Sequence, residues 1–215
     1  MKPYFIPIAV SLGLASAARA DFTPITLTPG SFSQDMVVEH NAPQVPNGNY
    51  TTASMDAGTA NTGNSWYEQG YDAAAPATGL PAAGSTFVSA AFPTHRYAMP
   101  PSYTANNAAF VDASHSATLT LATPAAFAGL SFLTSAGHGP VIIDYIVHHA
   151  DASADTGSLN SQDWFGNNPV GLVANGRVDV VSGTLDNVNN NNPKLFVADI
   201  SLGNRSSPVT SIDLS

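Results

Sequence analysis

What most restricts this chain is a set of short segments whose apolar residues recur at every second position, separated by Gly, Pro, Asn and Asp. A period of two sends alternate side chains to opposite faces of an extended strand. Residues 117–122 (ATLTLA) put Leu119 and Leu121 on one face. Residues 195–202 align Phe196, Ala198, Ile200 and Leu202, and residues 177–181 align Val178 with Val180. Residues 209–214 align Thr210, Ile212 and Leu214. Residues 141–149 (VIIDYIVHH) are apolar on both faces and are expected to lie centrally, largely covered on both sides. Residues 130–133 form a further strand, and 25–27, 36–39 and 87–91 weaker ones.

About eight or nine such strands, with no internal repeat, predict an all-β fold: a two-sheet antiparallel sandwich or jelly roll. Residues 123–129 (TPAAFAG) predict one short helical turn, with Thr123 as cap and Pro124 in the first turn. Residues 41–85 read as irregular, and residues 187–193 as a polar tract that cannot pack a core. LPAAG at 80–84 reads as a turn before the strand containing Phe87. The chain stops just after the 209–214 alternation. That suggests a missing final strand, or a last strand at a sheet edge and open to self-association.

Residues 1–20 carry Lys2, an apolar run over 4–14, and Ala18-Arg19-Ala20 before Asp21. This is the pattern of a secretory signal peptide. The expected mature chain is residues 21–215, a single β-sandwich domain, secreted to the cell exterior or periplasm. Losing Lys2 and Arg19 leaves four basic residues against fifteen acids, a net charge of −11. Such a field disfavours nucleic acid and anionic polysaccharide. No apolar run is long enough for membrane insertion. There is no cysteine, so thiol chemistry is excluded and stability must come from packing or bound ions.

TGLPAAGSTF (78–87), YTANNAAFVD (103–112) and LATPAAFAGLSFLTSAGHGPVIIDYIVHHAD (121–151), with SQDWF and ANGRVDV, carry a resemblance. Together they resemble exported bacterial proteins with a galactose-binding-like or jelly-roll sandwich, some bearing PEP-CTERM-type sorting tails. The resemblance implies the fold and export; sugar binding follows by fold analogy alone. In similar chains Gly often follows the position of Asp151; here Ala152 does. No sorting tail is read within these residues, so surface anchoring by that route is not expected.

Residues 148–167 (HHADASADTGSLNSQDWFGN) hold the densest chemistry. Asp151, Ser153 and Asp155 alternate like the oxygen ligands of a calcium loop, although Thr156 and Gln162 stand where an EF-hand needs Gly and Glu. The competing reading is a polar hairpin tip, since Asp and Ser favour turns. His148 and His149 are strand neighbours and point to opposite faces. Trp66, Tyr67, Glu68 and Tyr71 cluster in one polar stretch, and Trp164 follows Asp163. With Asn106 and Asn107 they supply the aromatic and carboxamide groups of a sugar platform. For Trp164 a core position is the stronger reading. Glu39 and Glu68 are the only glutamates for a carboxylate pair, no GxSxG occurs, and His95-Arg96-Tyr97 offers lyase-type residues. The expectation is a non-catalytic extracellular module that binds neutral carbohydrate or a cell-surface glycan. The alternatives are a structural surface or matrix protein and a polysaccharide hydrolase or lyase.

Overall fold

The computed structural model describes residues 21–42, 48–71, 79–167, 169–186 and 192–215; the signal-peptide reading and most of the 187–193 tract lie outside them. The strands are β1 Val37–Val38, β2 Asn64–Tyr67, β3 Thr86–Val88, β4 Arg96–Ala98, β5 Ala117–Ala125, β6 Gly129–Thr134 and β7 Val141–His149. They continue with β8 Ala154–Ser161, β9 Val170–Val173, β10 Arg177–Asp179, β11 Leu185–Asp186, β12 Lys194–Ser201 and β13 Val209–Leu214. Among the described residues the only helical element is a 3₁₀ turn at Pro29–Ser31. The protein is all-β.

Two main sheets face each other. One has the order β5-β13-β7-β8 and the other β6-β12-β9, and every pairing within them is antiparallel. Alternation explains the core between them. Leu119 and Leu121 of β5, Val147 of β7, and Ile212 and Leu214 of β13 meet Leu130 of β6 and Ile200 of β12. A bulge at Val209/Ser211 shifts the register of β13, so its buried apolar positions are Val209, Ile212 and Leu214. Thr210, which simple alternation aligns with them, instead donates its hydroxyl to the His148 carbonyl.

A third sheet, β1-β2-β10-β11, has both faces covered. Val37 and Trp66 pack on one side with Met99 and Trp164, while Val38, Tyr67 and Val178 pack on the other with Tyr50 and Tyr71. Strands β3 and β4 form a separate hairpin, preceded by the expected turn in which Ser85 N donates to Ala82 O.

Three expectations are corrected. Residues 123–125 extend β5 instead of turning into a helix. Thr120 and Ala125 pair with β13 across the bulge, and Pro124, which has no N–H to donate, sits in that irregular strand end. Strand β7 is not covered throughout: Val147 and His149 are buried, but Ile142 is 65% exposed and Ile146 41%. Ile143 and Tyr145 are half-buried against the core. The last strand is not an edge either, since β13 lies between β5 and β7 and is paired on both sides.

Candidate functional site

The two main sheets share the apolar core described above, and residues of both also border a cavity of about 1190 Å³. Leu119, Ile143, Leu159, Ile212 and Leu214 form one wall, and Leu130, Phe132 and Thr134 of β6 the other. Met36, Met55, Met99 and Trp66 close its side. Three of the chain's four methionines therefore line it. Beside it Val141 is 40% exposed and Ile142 65%. The rim is fixed by a close crossing. Ala136 N donates to Gln162 O at 2.9 Å and Trp164 N to Ala136 O at 2.8 Å. Gly139 makes this possible, because a Cβ there would lie 2.3 Å from the Asp163 amide nitrogen.

Thr134 and Ser161 are among the residues at the cavity, but their hydroxyl oxygens are turned away from accessible space, buried and without a hydrogen-bond partner. Thr134 ends β6 and Ser161 ends β8, so both stand just before the 135–139/162–164 crossing. No sequence pattern marks these two residues.

At the opposite end of β7 and β8 the side chains of His149, Asp151, Ser153 and Asp155 are tied together by hydrogen bonds. His149, with its side chain fully buried, places Nε2 2.9 Å from Asp155 Oδ2 and Nδ1 3.1 Å from the Ser207 carbonyl. Both partners are acceptors, so the ring satisfies both only as an imidazolium. Burial alone would lower its pKa; the Ser207 carbonyl and the Asp155 carboxylate outweigh that and raise it. Asp155 also accepts from the Gly203 and Asn204 amides, and against the effect of burial its pKa falls. Asp151 accepts from the Ser153 hydroxyl and amide and from Asn204, which hold its pKa down at about 2. Ser153 Oγ accepts from Asn204 Nδ2 at 2.7 Å. The three residues expected to hold calcium thus sit at a hairpin tip, with their oxygens turned to protein donors. Among the described residues no group of three His, Cys, Asp or Glu side chains converges on an ion position. His148, on the other face of β7 as expected, pairs with Asp213 at 2.8 Å.

The residues expected to form a sugar platform are dispersed through the core. Trp66 and Trp164 are 5% and 2% exposed and meet edge to face at 5.7 Å. Tyr67 and Tyr71 are buried in the third sheet's other face. Glu68 is buried; desolvation would raise its pKa, but the His40 and Ala83 amides and the His40 ring lower it. Asn107 is buried: its Oδ1 accepts from Met36 N, and its Nδ2 donates to Asp35, whose carboxyl is pushed up to about 6 by burial. Only Asn106 is exposed. Large rings bury more apolar area than any other side chain, and the core has claimed them. Of the seven residues, Trp66 and Asn107 border the cavity.

The third polar group joins β4, β6 and β12. His95 Nε2 lies 3.0 Å from Asp199 Oδ2, Ser131 Oγ donates to Asp199 Oδ1 at 2.5 Å, and Tyr97 Oη lies 2.5 Å from Ser131 Oγ. Burial raises the Tyr97 pKa to about 12. The aspartate sits between serine and histidine, so the imidazole is not placed to take the serine proton. Comparison with family models finds no match for this chain, and none of the curated proteins matches it. Among the described residues no helix is long and apolar enough to cross a membrane.

Proposed function

We propose that this chain is an exported, non-catalytic binding protein that holds an uncharged small ligand between its two main sheets. The observation that carries this reading is the apolar cavity of about 1190 Å³ between β5-β13-β7-β8 and β6. The space opens to solvent, and a large, mostly apolar cleft of this kind is the usual seat of a small ligand. Seats for drug-sized ligands run to about 1,000 Å³ and are mostly apolar with a few polar groups. The methionine side suits an irregular guest, since Met side chains re-pack easily. The acidic net charge, −9 for the whole chain and −11 without residues 1–20, favours a ligand without negative charge.

The test is a titration of the purified protein with Nile red, an uncharged probe whose emission rises out of water. The reading predicts saturable binding of one probe per chain and a raised melting temperature. Uptake that never saturates, with an unchanged or lowered melting temperature, overturns it. Neutral oligosaccharides are the competing ligand class expected from fold analogy. An oligosaccharide that binds without displacing the probe would move the functional site to the surface.

A further inference from the structure

We infer that strand β8 is an interaction edge, along which a second copy of this chain adds its own β8 antiparallel, centred on Gly157, to join the two sheets into one. Such pairing does not depend on what the cavity holds. The sheet β5-β13-β7-β8 has two edges, and they differ. The β5 edge is covered: Thr28 N donates to Thr120 O and Ala122 N to Thr26 O, each at 2.9 Å. The β8 edge is bare. His149 N donates to Ser153 O, so the odd-numbered residues of β8 turn their amides and carbonyls toward β7. Those of Ala154, Thr156, Ser158 and Asn160 point the other way; all four residues are exposed, and no described residue bonds to these groups. The strand open to self-association is thus β8 and not the last strand.

An unpaired strand of this length is a template for another, and proteins usually blunt it with Lys, Pro, a bulge or an inward charge. β8 (ADTGSLNS) has no Lys or Pro, and its register with β7 runs unbroken from Val141–Ser161 to His148–Ala154. Its one charge, Asp155, is held by His149 and by the Gly203 and Asn204 amides. The occupant follows from the strand's own sequence. Turned about a two-fold axis at Gly157, Thr156 meets Ser158 of the second copy and Ala154 meets Asn160, pairs that are small and uncharged. Asp155 falls opposite Leu159, so like charges do not meet within the ladder. The outward groups then exchange about eight backbone hydrogen bonds. One strand per copy is a small interface, so the association is reversible at micromolar concentrations. The net charge of −9 on each copy opposes it, and salt screens that repulsion.

Sedimentation equilibrium of the full chain over roughly 1–200 µM should show a monomer–dimer equilibrium. It should tighten as salt rises from about 0.05 to 0.5 M. A monomer at every concentration in both salts overturns the second copy as occupant and leaves the edge to a strand of another protein. Ser158→Pro removes an outward N–H and no bond to β7. It should weaken the dimer about thirtyfold, the worth of two symmetry-related hydrogen bonds. An unchanged dimer in that variant puts the interface elsewhere and overturns the assignment. The chain has no cysteine, so introduced thiols report position directly. Opposed residues of a hydrogen-bonded pair have Cα atoms about 5.5 Å apart, within disulfide reach. An oxidised mixture of Thr156→Cys and Ser158→Cys chains should therefore cross-link faster than either variant alone. Equal or slower cross-linking in the mixture overturns the pairing about Gly157. If Ser158→Pro fails to fold, the cysteine mixture decides.

Discussion

Strands β7 and β8 form one hairpin, and its two ends are built in opposite ways. At the turn end Val147 is fully buried, and His149, Asp155, Asp151 and Asn204 satisfy one another and the 203–207 loop. At the open end Val141 and Ile142 are exposed, Ile143 faces the cavity, and the Ser161 hydroxyl has no partner. The same antiparallel register, Val141 with Ser161 through His148 with Ala154, runs through both. Strand pairing therefore does not set the difference; what lies across the inner face does. The closed end is where stability is invested. The open end is where the fold leaves apolar side chains exposed.

The largest expected effect comes from truncating matched apolar groups at the two ends. Leu202, 1% exposed and packed near the closed end, should lose about 2–5 kcal/mol as Leu202→Ala. Ile143→Ala removes a side chain that already borders a void and should lose about 1 kcal/mol or less, because little new cavity forms. Urea unfolding measures both, and equal losses would erase the distinction.

The next effect is pH-dependent and confined to the closed end. His149 titrates above its ordinary value, so its contribution is complete below about pH 6.5, the unfolded value, and drains as pH rises through the folded one. Asp155 titrates below its ordinary value, so its contribution is present above about pH 3.9 and is lost as pH falls further. His149→Ala should cost about 1–3 kcal/mol near pH 6. It should also flatten the alkaline limb of the stability profile measured by urea unfolding. A mutant profile that keeps the wild-type slope between neutral and mildly alkaline pH would contradict the imidazolium.

The smallest effect sharpens the turn. Ala152 has φ of +66°, a conformation that favours glycine. The turn holds it there: Ala152 N donates to the His149 carbonyl, and Asp151 accepts from Ser153 N. Ala152→Gly should raise stability by about 0.5–1 kcal/mol, read as a higher melting temperature, with no change in Nile red affinity.

Much of the framework was legible because a two-residue period survives burial. Residues 141–149 and 209–214 are strands over the lengths read from sequence, and residues 195–202 differ from β12 by one residue at each end. Strands β2 and β9 were not legible. β2 (NSWY) is short and lies in a Gly- and Asn-rich stretch, while β9 is four residues without alternation. Alternation tells which face a side chain takes, but not whether another layer fills the space opposite. Hence Ile143 and Leu121 look alike in sequence, yet one is half-buried and the other 4% exposed. The candidate site was less legible still. Aromatic-polar clusters such as Trp66-Tyr67-Glu68 suggest a surface platform, but burial of the rings is favourable enough to draw them inside, with Glu68 held by backbone amides.

The account depends on the hairpin being sealed at one end and receptive at the other, and amide hydrogen exchange with and without Nile red measures this directly. In the free protein, residues 141–143 and 159–161 should exchange faster than residues 147–149, and the probe should slow only the first set. Equal protection at both ends of β7 in the free protein, unaltered when the probe binds, would contradict it.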